Sequence, residues 1–217
     1  MHQELIPFMP QSAENPSVVH LLIFAREPVL GKVKTRLAAD IGADAALAVY
    51  RELLALTAAA VAKAAVPATV WLAEAPAPLA ESTLPRPEWP GLPWWVQPPA
   101  GSLGERMANA FEAAFAAGAG RVVIIGTDCP SLSAELLHRA FDKLGTHDLV
   151  IGPADDGGYY LLGLRELQPE LFRNKDWSTA TVLPDTLADA VRLGLRVALL
   201  PTLSDVDSAR DLAAWRG

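Results

Sequence analysis

Two short runs, Val18 to Ala25 (VVHLLIFA) and Arg121 to Thr127 (RVVIIGT), are almost continuously apolar and rich in β-branched residues. A strand with one wet face alternates apolar and polar side chains, whereas a strand covered on both faces does not. These runs therefore predict strands sandwiched between two layers of helices. Shorter strand candidates lie at Thr69 to Ala73, Trp94 to Gln97, Asp148 to Gly152, Tyr159 to Leu164 and Arg196 to Leu200. Helix-period stretches alternate with them. Ala43 to Ala65 carries Leu47, Tyr50, Leu54 and Val61 at helical spacing and is closed by Pro67. Leu103 to Ala117 carries Met107, Ala110, Phe111 and Phe115 and ends at Gly118 and Gly120. Ser133 to Leu144, Ala180 to Leu193 and Ser208 to Trp215 complete the set. Strand and helix in alternation predict an α/β fold of three layers, α/β/α, around a mostly parallel central sheet. With 217 residues, 51% of them hydrophobic, residues 18–217 can bury one core as a single domain.

Met1 to Ser17 is polar, carries three prolines and lacks the basic-then-apolar order of a signal peptide, so it is expected to be a loosely held extension. Glu74 to Pro93 holds six prolines and is expected to run over the surface. The tryptophans at 89, 94 and 95 are expected to pack. No apolar run is read as reaching the roughly 20 residues that span a bilayer, and the single cysteine, Cys129, excludes an intrachain disulfide. A soluble, cytoplasmic protein without a membrane partner is expected. The formal charge of −7 argues against a nucleic-acid polymer as principal ligand, because phosphate backbones are met by basic surfaces. Small charged molecules remain.

In a sheet of this kind ligands bind outside the carboxyl ends of the strands, and that is where the polar motifs fall. The loop from Arg26 to Arg36 (REPVLGKVKTR) follows the first strand and brings Arg26, Lys32, Lys34 and Arg36 together with Gly31 in an otherwise acidic chain. Cations and a permissive glycine suit phosphate oxygens better than a merely solvated turn. The loop matches neither the Walker pattern nor the dinucleotide glycine fingerprint. Asp128 follows RVVIIGT directly, where one carboxylate with phosphate oxygens and water could hold a magnesium ion. Ser133 is the better cap for the next helix. Cys129 is expected to be a spectator thiol. Asp155 and Asp156, with Gly157, Gly158 and Tyr159, form a polar turn that reads equally as a plain hairpin or as a surface for an acceptor. Asp205 and Asp207 share one face of an extended segment and offer a further metal ligand, although Asp207 also reads as the N-cap of the last helix. Gly101, Leu103, Gly104 and Arg106 open a helix whose amides could hold a nucleotide. Trp177 and Ser178 precede another, where Ser178 is a cap candidate and Trp177 a pocket wall.

Taken in order, FAREPVLGKVKTRL, GSLGERM, GTDCPSL, GPADDGGYYLLGL, WSTATVL and SDVDSARDL resemble the DUF2064 family of bacterial transferases, from about Val18 to Trp215. The resemblance implies the nucleotide-diphospho-sugar transferase fold, known as GT-A. It implies that Asp128 is the metal-binding aspartate, that Lys34 and Arg36 belong to the first nucleotide loop, and that Asp205 or Asp207 is the late acidic position. Many GT-A glycosyltransferases carry Asp-x-Asp where this chain has Asp128-Cys-Pro, a form nearer that of nucleotidyltransferases.

The expectation is a transferase dependent on magnesium, with manganese as an alternative. Lys34, Arg36 and Asp128 are its candidate catalytic residues, and Asp128, Asp205 and Asp207 its candidate metal ligands. Arg26, Gly31, Lys34, Arg36, Gly101, Leu103, Gly104 and Arg106 would bind a nucleoside triphosphate or nucleotide sugar. Asp155, Asp156, Gly157, Gly158, Tyr159, Trp177 and Ser178 would face a small-molecule acceptor. Nucleotidyl transfer is the leading reading and glycosyl transfer the alternative. A nucleotide-binding regulatory protein without turnover is the rival from another class.

Overall fold

The computed structural model describes residues 18–74 and 88–217. The expected N-terminal extension and most of the proline-rich stretch lie outside them. The strands β1 (Val19–Ala25), β2 (Ala68–Leu72), β3 (Trp94–Val96), β4 (Arg121–Ile125), β5 (Leu149–Pro153), β6 (Tyr159–Leu164) and β7 (Val197–Leu199) form one sheet in the order β3-β2-β1-β4-β6-β5-β7. All pairings are parallel except those of β6, which runs antiparallel to both β4 and β5. The reversal of β6 matters for the site. It turns the β5–β6 connection into a hairpin at the same carboxyl edge that the parallel strands already share.

Helices α2 (Ala43–Ala64) and α4 (Ala134–Lys143) cover one face of the sheet. Tyr50, Leu54 and Val61 of α2 and Leu137 and Phe141 of α4 meet Leu21, Ile23 and Val70 there. Helices α3 (Leu103–Ala116) and α5 (Val182–Arg192), with a 3-10 turn at Pro169–Phe172, cover the other. Met107, Phe111 and Ala190 pack against Leu22, Ile124 and Leu162 on that face. Successive residues of β1 thus enter opposite layers, which is why VVHLLIFA shows no polar alternation. Each buried leucine or isoleucine contributes about 1.5–3 kcal/mol. The sandwich is the three-layer α/β/α fold expected from the sequence.

Three expectations need correction. A helix α1 (Thr35–Ile41) precedes α2 and is separated from it by Gly42 at φ 86. The sequence hides it, because only Leu37 of its seven residues is buried and its N-cap, Lys34, makes no side-chain cap. Second, α2 does reach membrane-spanning length and apolarity, with a mean hydropathy of 1.6 over its best window. Its alanines raise that figure, and one side of it packs on the sheet, with α1 and α4 in contact with it. Third, the tryptophans divide: Trp89 is buried, while Trp95 on the edge strand β3 is 39% exposed. A short helix α6 (Ala209–Arg216) closes the chain against α1 and α2, through Leu212 and Trp215 around Leu37, Val49 and Leu53.

Candidate active site

The carboxyl edge of the sheet gathers four segments. These are the loop after β1, residues 126–130 after β4, the 154–158 hairpin and the 203–207 stretch after β7. The backbone fixes two of these contacts. Val206 N–H donates to Asp128 O at 3.0 Å, and Asp155 N–H donates to Leu203 O at 3.1 Å. The late acidic segment is therefore stitched to both the Asp128 turn and the hairpin.

Lys34 is the centre of this arrangement. Its ammonium lies 2.5 Å from Asp128 Oδ1 and 3.8 Å from Asp207 Oδ1, and its side chain is only 5% exposed. Arg36, on the first turn of α1, reaches Asp207 Oδ2 at 3.2 Å with its side chain largely in solvent. The basic loop and the two expected acidic positions do meet. Asp207 is free for this because it does not cap α6, contrary to one of its two sequence readings. Ser208 is the N-cap, and its hydroxyl and the Asp211 carboxylate exchange bonds with each other's amides in a capping box.

A second, purely acidic group adjoins this pair. Burial first, and then the negative charge of Asp156 and of Asp128, pushes the Asp205 carboxyl above its ordinary value, with Lys34 opposing. The Cys129 thiol beneath is pushed up strongly, by burial and then by Asp205 and Asp128. It stays protonated, as a spectator should. The hairpin separates its acids: Asp156 accepts from Gly158 N–H at 2.8 Å, and Asp155 accepts the Ser204 hydroxyl at 2.5 Å. Hairpin geometry thus accounts for the glycines, while the field of Asp156 falls on Asp205. Among the described residues no three histidine, cysteine or acidic side chains stand close enough to chelate a metal by themselves.

The basic loop is anchored by a residue that the sequence reading passed over. Tyr50 of α2 accepts from Arg26 N–H at 2.9 Å and donates to Arg26 O at 3.1 Å. It also bonds the side chain of Thr127, one residue before Asp128. Burial pushes its phenol to about 12, so the donating proton is retained. The only available signal was a polar-tipped aromatic on the buried stripe of a helix. Arg26 itself points elsewhere, with Glu74 at 3.9 Å and both side chains more than half exposed. Gly31 adopts φ 75 in the exposed loop, a conformation glycine takes without strain.

On the α3 side, Ser102 and Glu105 form a capping box that occupies the amides of both residues. Arg106 donates to Gln97 Oε1 at 3.2 Å, and Gln97, almost wholly buried, donates to Trp71 O at 2.9 Å. Gly101 adopts φ 106 ahead of the cap, and Leu103 is half-buried. Gly104 is buried because Trp177 and Phe172 lie on it: an added Cβ would stand 2.4 Å from Phe172 O and 2.5 Å from the Trp177 ring. Gly157, at φ 89, is covered in the same way by Ala180. The segment from Arg173 to Ala180 therefore straps the α3 start to the hairpin. It is pinned by Lys175, whose ammonium lies 2.7 Å from Asp189 with a side chain 1% exposed. Ser178 does not cap a helix; it adopts φ 66, and α5 starts after Thr181. The Tyr159 hydroxyl turns toward Met107 and Thr186 in the core.

The sequence profile of a family described as uncharacterized protein conserved in bacteria (DUF2064) matches residues 56–179. No curated protein matches the chain. Among solved structures, a candidate nucleotide-diphospho-sugar transferase of Desulfovibrio desulfuricans G20 superposes with a TM-score of 0.85 at 35% identity, over 91% of this chain and 85% of that one. The 4-diphosphocytidyl-2C-methyl-D-erythritol synthase of Anaerococcus prevotii DSM 20548 gives 0.59 at 9% identity, over 92% and 97%. A Mycobacterium tuberculosis H37Rv protein in complex with manganese gives 0.50 at 16% identity, over 91% and 96%. The last two likenesses are of fold alone.

Proposed function

The chain belongs to the DUF2064 family and has the nucleotide-diphospho-sugar transferase fold, and from that premise we propose that it is a metal-dependent transferase acting on an activated nucleotide, by nucleotidyl transfer to a small phosphorylated or hydroxylated acceptor. The observation that carries this reading is the meeting of Lys34 and Arg36 with Asp128 and Asp207 at the carboxyl edge, beside Asp205 and Asp156. Cations for phosphate and carboxylates for a divalent ion stand within one side chain's reach of each other.

The donor set suits magnesium, or manganese in its place. Asp128 and Asp205 are hard oxygen ligands, a cation already sits on Asp128 in the form of the Lys34 ammonium, and magnesium asks for only one or two carboxylates when phosphate and water complete its shell. Of the two late acids, Asp205 is the better ligand, because the Arg36 guanidinium holds Asp207. Bound there, the ion would neutralise charge on phosphate oxygens. In nucleotidyl transfer an acceptor oxygen forms a bond to the α-phosphorus, the bond to the bridging oxygen breaks, and pyrophosphate leaves with that electron pair. Lys34 and Arg36 would bind the departing negative charge, and positioning and electrostatics would supply most of the acceleration. The start of α3 with Arg106 would face the nucleoside, and the hairpin at Asp155 and Asp156 with Trp177 the acceptor.

Glycosyl transfer from a nucleotide sugar is the second reading, favoured by the name of the Desulfovibrio relative. Against it stands the Asp128-Cys-Pro turn, where Pro130 takes the place of the second acid of Asp-x-Asp. A thermal-shift panel of nucleoside triphosphates and nucleotide sugars, with and without magnesium, separates the two. A ligand at 100 times its dissociation constant stabilises by roughly 2.7 kcal/mol. Magnesium-dependent stabilisation by triphosphates alone is expected. Stabilisation by nucleotide sugars alone would move the assignment to glycosyl transfer, and none by either class would overturn both.

A further inference from the structure

We propose that Lys34 is the site's internal cation, which holds a divalent metal off Asp128 until a polyphosphate draws the ammonium away, so that phosphate and metal bind with positive cooperativity. The inference rests on the reading of Asp128 as a metal ligand and adds the order in which the site fills.

Three observations support it. The Lys34 ammonium lies 2.5 Å from Asp128 Oδ1, in contact with the carboxylate the metal needs, and Asp207 at 3.8 Å gives it a second anchor. Its side chain is 5% exposed, against 77% for Arg36, so this is a built contact rather than a surface encounter. The Lys34 backbone adopts φ 48 and ψ 47, a left-handed conformation uncommon for a residue with a side chain, and it does so at the N-cap of α1 without making a cap. Such a conformation persists where its surroundings fix it, and what the side chain reaches here is the pair of carboxylates.

A cation approaching Asp128 then meets a like charge at close range, and each disfavours the other. A polyphosphate offers the ammonium several anionic oxygens in exchange for one carboxylate, and a lysine stem is flexible enough to change partner. Transfer of Lys34 to phosphate exposes Asp128 to the metal. By thermodynamic reciprocity, whatever phosphate does for metal affinity, metal does for phosphate affinity. The Tyr50 bonds to the Arg26 backbone hold the start of the loop independently of Lys34.

The test uses Mn2+ alone, with free ion followed by electron paramagnetic resonance, on the full chain and on Lys34→Met, Lys34→Arg and Asp128→Asn. Methionine keeps most of the stem and removes the charge, and half of the Asp128 side chain is already in water, so the change leaves no carboxylate sealed in the core. Lys34→Met is expected to bind Mn2+ at least about tenfold tighter than the parent, within the usual range of site coupling. Lys34→Arg should behave as the parent, and adding Asp128→Asn to Lys34→Met should abolish the gain. In parallel, inorganic tripolyphosphate without metal should bind the parent and bind Lys34→Met more weakly. Asp128-dependent Mn2+ binding that is equal or weaker in Lys34→Met overturns the internal-cation role while leaving the metal site standing. No Asp128-dependent Mn2+ binding in any variant overturns the metal reading itself.

Discussion

At Asp207 two roles compete, and one neighbouring residue decides between them. From the sequence it reads both as helix cap and as functional acid, but Ser208 takes the cap and leaves Asp207 to Lys34 and Arg36. Asp128 and the basic loop were legible because their types and their place after strands carry chemistry. Tyr50 and Ser204 were not, because their roles depend on which backbone groups the fold brings beside them. Tyr50→Phe removes both bonds to Arg26 and is expected to cost about 1 kcal/mol in urea unfolding. It should also weaken tripolyphosphate binding, which a merely structural loss would leave unchanged. Gly104→Ala forces a methyl group against Phe172 O and the Trp177 ring. A loss of about 1–3 kcal/mol is expected, the range for overpacking a close contact, and a thermal midpoint equal to the parent's would show that the strap does not rest on Gly104.

Elements were easier to find than their relations. The long apolar runs and the alanine-rich helix stand out by period and composition, whereas α1 has one buried residue and no cap to announce it. The antiparallel direction of β6 depends on pairings with β4 and β5 that no local pattern reveals. Two ion pairs hold elements in place and make separate predictions. Lys175 to Asp189 ties the strap to α5, and Asp189→Ala strands an ammonium whose side chain is 1% exposed. A loss of about 3–5 kcal/mol is expected, readable as a shift in urea midpoint. Asp148, next to β5, takes two bonds from the Arg196 guanidinium ahead of β7, and that partner holds its carboxyl at about 2, below the ordinary 3.8. A carboxyl held low in the folded chain adds stability above its unfolded value and loses it as pH falls toward about 2. With the Arg196 side chain 60% and the Asp148 side chain 32% exposed, about 1 kcal/mol is expected. Asp148→Asn should therefore flatten the parent's loss of stability between about pH 4 and 2, and an unchanged acid limb would remove the pair from the account.

Across the whole molecule, alternation of strand and helix was enough to specify three layers, because the central apolar strands had to be covered on both faces. Alternation also located the candidate site, since every parallel strand ends at one edge and the reversed β6 returns its hairpin there. What alternation could not specify is the chemistry at that edge, which depends on charges brought from four separate segments. The net charge of −7 makes the basic loop after β1 more conspicuous, and two of its four cations, Lys34 and Arg36, are answered by Asp128 and Asp207. The central claim, that Asp128 holds a metal for a bound nucleotide, is tested most directly by calorimetric titration of the magnesium complexes of nucleoside triphosphates and nucleotide sugars into the parent and into Asp128→Asn. Magnesium-dependent binding to the parent is expected, weakened at least about tenfold, or roughly 1.4 kcal/mol, in the variant. Equal affinity of parent and variant would contradict it.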